Sequence, residues 1–179
     1  GNYEIAKDYY IIASKKGNQN TVNLLLQQKE IDINLTSFRF KHNSISETKE
    51  KYSPLYIALK KGFESVVKLL LARPEIDVNC KSIKSFIDFK KYKKRDYNSA
   101  SLEIVSPLYL AVDNDDVIFT KMLISAPKIN VNDKSSFYSI EYKPSEKITN
   151  PLFCAVERKN IEILKILLEF KGIDLNIIS

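Results

Sequence analysis

Four times along this chain a small alanine is followed by an asparagine at one fixed distance, in the pairs Ala13/Asn34, Ala58/Asn79, Ala111/Asn132 and Ala155/Asn176. The alanines are separated by 45, 53 and 44 residues, and the asparagines keep those separations, so each unit is free of gaps between its two markers. Around the alanine, Ser53-Pro-Leu-Tyr-Ile-Ala58 returns as Ser106-Pro-Leu-Tyr-Leu-Ala111 and as Asn150-Pro-Leu-Phe-Cys-Ala155. Such self-similarity describes a stack of like units, each covering its neighbour's apolar face, rather than a globule around one centre. Length varies only in the joints, as expected when surface loops absorb insertions.

Within each unit the residues predict helix, turn, helix. Ser53, Ser106 and Asn150 are favoured N-caps, and Pro54, Pro107 and Pro151 follow at the first helical position, where a missing N–H costs nothing. The first helix is expected over 54–61, 107–113 and 151–158. Asn18, Asp116 and Asn160 then mark the start of a second helix, with Phe63 breaking the series. That second helix carries Leu24-Leu25-Leu26, Leu69-Leu70-Leu71, Met122-Leu123-Ile124 and Ile166-Leu167-Leu168. With Val66, Val67, Ile163 and Leu164 one turn earlier, its apolar face is too wide for a surface helix, so it must be sandwiched between neighbours. Pro74, Pro127 and Gly172 are read as the stops. Stacking then stabilises the units by about 1.5–3 kcal/mol per fully buried large side chain.

The joint recurrence of Pro-Leu-(Tyr/Phe)-X-Ala, of Gly62-Phe63-Glu64-Ser65-Val66-Val67-Lys68-Leu69-Leu70-Leu71 and of Asp77-Val78-Asn79 resembles the ankyrin repeat. The likeness extends over all four units, is best in 53–79, and is most degenerate in the first, where Asp8-Tyr9-Tyr10-Ile11-Ile12-Ala13 replaces the opening motif. Tyr56, Tyr109 and Phe153 stand where the family places histidine, and Ser14, Leu59, Val112 and Val156 replace its second alanine. The resemblance implies a mainly all-α fold, a helix-turn-helix solenoid of four repeats at about 4–34, 53–79, 106–132 and 150–176. Residues 1–179 then form a single domain. Joints 35–52, 80–105 and 133–149 become its enlarged finger loops, hairpin-like by the resemblance, although neither strand alternation nor a helical stripe fits 86–97 cleanly.

The joints carry net charges of +2, +4 and 0, which together equal the net +6 of the whole chain. The excess positive charge therefore belongs to the fingers. Finger two interleaves cations with rings in Phe89-Lys90-Lys91-Tyr92-Lys93-Lys94-Arg95. That pattern suits an acidic peptide, or a nucleic acid or anionic lipid surface, and equally an insert whose rings pack its base while lysines keep it soluble. The resemblance also implies that the residues after the paired small positions line a concave groove. These are Lys15-Lys16, Lys60-Lys61, Asp113-Asn114 and Glu157-Arg158, running basic, basic, acidic, mixed along the stack. The expected partner is another protein with an acidic surface, held by a basic groove that units one and two form with finger two above them. A nucleic-acid or anionic-membrane adaptor acting through 86–97 is the alternative.

Catalysis is not expected, because acid–base or nucleophilic chemistry needs convergent groups within hydrogen-bond reach. His42 stands alone in a joint, Cys154 falls where a small buried side chain is wanted, and Cys80 lacks metal-ligand spacing. Asp32, Asp77 and Asp174 recur as turn caps, and four glycines leave no phosphate loop. Neither a cofactor, a metal nor a small-molecule substrate is expected. Two distant cysteines point to a reducing cytoplasmic or nuclear setting, and no apolar run approaches the roughly 18–20 residues of a membrane span. A start at Gly1 and an end at Ile177-Ile178-Ser179, with no polar capping unit in sight, read as a fragment of a longer ankyrin array.

Overall fold

A computed structural model of the chain describes residues 2–89, 99–140 and 144–176. Helices α1 (Asn2–Lys16) and α2 (Gln19–Leu25) lead into the hairpin β1 (Ser37–His42) and β2 (Ser46–Tyr52). The same order follows in α3 (Pro54–Lys61), α4 (Glu64–Leu71), β3 (Ser82–Asp88) and β4 (Ser99–Val105). It continues with α5 (Pro107–Asp113), α6 (Val117–Ile124), β5 (Ser135–Ile140) and β6 (Pro144–Thr149), and ends with α7 (Pro151–Arg158) and α8 (Ile161–Leu168). First helices contact first helices along the row α1, α3, α5, α7, and second helices contact second helices along α2, α4, α6, α8.

The mainly all-α expectation is wrong. The finger joints form three hairpins that pair with one another into one antiparallel sheet of six strands, in the order β1-β2-β3-β4-β5-β6. The reason is a match of lengths. Packed helices sit about 8–10 Å apart, and two strands side by side span about 9.6 Å. Each unit therefore advances the helix row and the sheet by the same step. Neighbouring hairpins arrive at pairing distance, and their unpaired backbone edges close the ladder.

Local signals set the helices as expected. Ser53, Ser106 and Asn150 accept from the N–H groups of Tyr56, Tyr109 and Phe153 at 3.2, 3.3 and 2.8 Å. Asn18, Asp116 and Asn160 cap the second helices in the same way, and Phe63 makes no side-chain cap bond. Its ring instead covers Gly17 of the preceding unit, so closely that a Cβ there would lie 2.8 Å from Phe63 Cδ1. Four residues past each marker alanine, Gly17, Gly62, Asp115 and Lys159 take left-handed φ values of 68°, 73°, 55° and 58°, turning the chain between helices. The three proposed stops lie further out than expected. The second helices close on Ala72, Ser125 and Glu169, so Pro74, Pro127 and Gly172 belong to the following turn.

One apolar cluster runs through all four units and includes Leu55, Leu70, Leu108, Leu123, Ile163 and Leu167, each at most 1% exposed. Tyr10 takes the place that Leu55 and Leu108 hold in later units, and its buried hydroxyl donates to the Ile33 carbonyl at 2.9 Å. The closing asparagines do more than cap turns. Asn34 Nδ2 donates to Glu75 O at 2.8 Å while its Oδ1 accepts from Asp77 N at 2.7 Å, one unit further on. Asn79 bridges in the same way to Lys128 O and Asn130 N, and Asn132 to Gly172 O and Asp174 N. Within each unit Asp32, Asp77, Asn130 and Asp174 accept from the backbone N–H of that asparagine, which holds it in place.

Candidate partner-binding groove

The last turns of α1 and α3 end in lysines, and β1–β4 rise beside them. Between helices and strands lies a groove of about 310 Å³. Lys15, Lys60 and Lys61 enter it from the helices, and Arg39 and Lys84 from the strands, while Lys51 borders it but, as the cross-strand partner of Phe38, turns its side chain to the other face. Among the described residues its only carboxylates are Glu50 and Glu103, each the direct cross-strand neighbour of a cation. Arg39 reaches Glu50 at 3.7 Å, and Lys84 reaches Glu103 at 3.6 Å. Among the described residues no carboxylate lies within ion-pair distance of Lys15, Lys60 or Lys61, so the groove keeps three uncompensated cations.

Aromatic rings hold two of those lysines in place. Lys15 Nζ lies 5.0 Å from the centre of the Tyr52 ring and 3.4 Å from Ser37 Oγ, while Lys60 Nζ lies 5.7 Å from the Tyr56 ring. A cation held over a ring keeps its charge and loses rotamer freedom before any ligand arrives. Burial raises the Tyr56 hydroxyl above its ordinary range and outweighs the opposing influence of Ser82, so the ring stays neutral beside the lysines.

The second half of the row is different. Asp113 accepts from Arg158 Nη2 at 2.7 Å and from its Nε at 3.2 Å. Glu157 pairs with Lys147 at 2.7 Å, and the exposed Asn114 closes α5. Thus the structure brings Lys15, Lys60 and Lys61 together in one groove, leaves the exposed Lys16 off its lining, and pairs Asp113, Glu157 and Arg158 internally. Phe89 is tied to finger one, its N–H donating to Ile45 O at 2.7 Å and its ring meeting His42 edge-on at 5.9 Å. Lys90, Lys91, Tyr92, Lys93, Lys94 and Arg95 lie outside the described residues.

Arg39, Lys84, Tyr52 and Tyr56 line the groove, and the sequence reading assigned none of them to it. A usable signal existed in Ser37-Phe-Arg-Phe-Lys-His42, where ring and cation alternate with the period of a strand. A second was the recurrence of Ser37, Ser82 and Ser135 at the repeat offsets, all three buried where the fingers leave the helices.

Cys154 is buried, and burial with the neighbouring Asp113 charge pushes its thiol up to about 11. Burial likewise raises Cys80. Neither thiol is a thiolate near neutral pH, the form that nucleophilic or metal chemistry needs. Among the described residues no group of three His, Cys, Asp or Glu side chains could hold a metal, and no helix is long and apolar enough to cross a membrane.

The family model for ankyrin repeats in three copies matches residues 9–82, and that for a single ankyrin repeat matches residues 150–177. Together they cover more than half of the chain. No curated protein matches the sequence. Agreement between these matches, the four helix pairs and their asparagine bridges leads to one conclusion: the chain belongs to the ankyrin-repeat family, whose repeats in general mediate protein–protein interaction and are typically non-catalytic.

Proposed function

We propose that the chain is a noncatalytic interaction scaffold, one ankyrin-repeat domain whose groove over units one and two holds an acidic segment of a partner protein. The observation that carries this reading is the charge balance of the groove. Five cations face two carboxylates, and both carboxylates are already engaged by cations of their own sheet. Fixed like charges in a concave site raise the local concentration of an oppositely charged ligand and speed its capture. The paired half beyond Asp113 then contributes support rather than attraction.

Polyglutamate is a direct probe. Reversing Lys15, Lys60 and Lys61 to Glu should weaken its binding at least about tenfold, because three charges in one groove change sign. Reversing Lys68, Lys121 and Lys165 on the second helices should leave affinity within about twofold, since exposed charges beyond a Debye length of about 8 Å are screened. Equal losses in the two triple variants, or tighter binding of single-stranded RNA than of polyglutamate, would defeat the proposal.

A further inference from the structure

We propose that β1 takes up an extended acidic segment of the partner as a seventh strand, so that recognition is by sheet extension as well as by groove charge. The inference rests on the reading of the groove as a site for acidic segments and adds how such a segment is held. Among the described residues nothing pairs with the outer side of β1, the first strand in the sheet order. Its backbone groups on that side are donors and acceptors for one more strand, the usual hazard and use of a sheet edge.

The two edges of the sheet are built differently. The far edge, β6, opens with Pro144, which has no N–H to give, and presents Glu146 beside Lys147. Those are the devices that blunt an edge. β1, Ser37-Phe-Arg-Phe-Lys-His42, has no proline, and its charged residues Arg39 and Lys41 are both cations, which repel a like strand and admit an acidic one. Alternation along the strand puts Arg39 and Lys41 on the groove face and Phe38 and Phe40 on the opposite face. Phe38 is 68% exposed and Phe40 52%, although each is a large ring on a regular strand. A strand laid against β1 would cover both rings with every second side chain and meet Arg39 and Lys41 with the others.

That geometry specifies the occupant. The seventh strand needs about six residues, carboxylates at alternate positions toward Arg39, Lys41 and Lys15, and apolar side chains between them toward Phe38 and Phe40. A second copy of this chain fits poorly. Antiparallel pairing of β1 with itself, with both sheets kept in phase, sets Arg39 and Lys41 against the same two cations, and like charges directly opposite are destabilising. An acidic strand turns each of those repulsions into an attraction.

The test uses the full chain and a ten-residue peptide alternating glutamate and valine. In an extended strand the glutamate nitrogens face one edge and the valine nitrogens the other. Methylating one set should therefore weaken binding at least about tenfold, while methylating the other changes it by less than about twofold. Amide exchange within 37–42 should slow at least about tenfold at saturation, as expected for newly hydrogen-bonded amides. Arg39→Glu with Lys41→Glu should shift preference to a lysine–valine peptide. Strand addition is overturned if both methylated peptides bind like the parent, if exchange in 37–42 is unchanged at saturation, if no peptide binds, or if the chain alone dimerises through β1. The groove reading survives the first two of these provided the Lys15, Lys60 and Lys61 reversal still abolishes binding, so the two failures are told apart.

Discussion

The helical body and the finger sheet are built on opposite principles. The body hides a continuous apolar cluster from Tyr10 to Leu167. In the sheet, burial is confined to the strand ends that meet the helices, at Ser37, Ser82, Val105, Ser135 and Thr149. Burial stabilises the first, while the second stands out from it and is held by its own backbone ladder. The body therefore supplies the spacing, and the sheet supplies an exposed surface whose charges need not be sacrificed to packing.

The largest effect expected from this contrast concerns leucine and phenylalanine. Leu70 is fully buried in α4, and Leu70→Ala should cost about 3 kcal/mol by the cavity it leaves. Phe40→Ala in β1 should cost less than about 0.5 kcal/mol, the usual range for an exposed site. Urea midpoints of the two variants compare them directly, and similar losses would mean that the sheet is part of the core.

The joint between units one and two comes next. Gly17 and Gly62 share the left-handed conformation, but only at Gly17 would a new Cβ strike Phe63. Gly62→Ala should cost about 1 kcal/mol for the strained backbone. Gly17→Ala should cost about 2 kcal/mol, since the ring must also move and overpacking carries its own penalty. Equal thermal shifts would show that the ring gives way freely.

Asn79 tests which region couples the units. Asn79→Ala removes two bonds to unit three and should cost about 1–2 kcal/mol. Were the sheet ladder the dominant coupling, this variant would unfold at the parent's urea concentration.

The smallest effect is a decline in stability at alkaline pH. Cys154 moves from 9.0 to about 11 on folding, and burial also raises Tyr10, Tyr56 and Tyr109. Each group holds its proton more tightly when folded. The unfolded chain therefore loses protons first, and stability falls as pH rises from about 9 toward 11. Cys154→Ala should flatten the early part of that decline in urea titrations, and an unchanged slope would remove the thiol as its cause.

Much of the body is legible in the residues themselves. Pro54, Pro107 and Pro151 with their caps give the first-helix boundaries to the residue, because an N-cap and an N1 proline act within one turn of chain. The groove is legible in part. Lys15, Lys60 and Lys61 are found from their repeat position, whereas Arg39 and Lys84 join them only because two hairpins pair alongside. The acidic and mixed positions in units three and four mislead as isolated charges. Asp113 and Arg158 are 45 residues apart and meet through stacking alone.

The sequence by itself determined the four units, their helices, and the confinement of excess charge to the joints, since all three rest on interactions within a few residues or on a repeat that can be counted. Only the tertiary structure decided that the joints become one sheet, that Asn34, Asn79 and Asn132 each bind the next unit, and that among the described residues nothing pairs with the outer edge of β1 beside a basic groove. Those outcomes depend on how far each unit advances the stack. Strand pairing and asparagine bridges form when that advance equals two strand widths, and no local propensity encodes a distance between units.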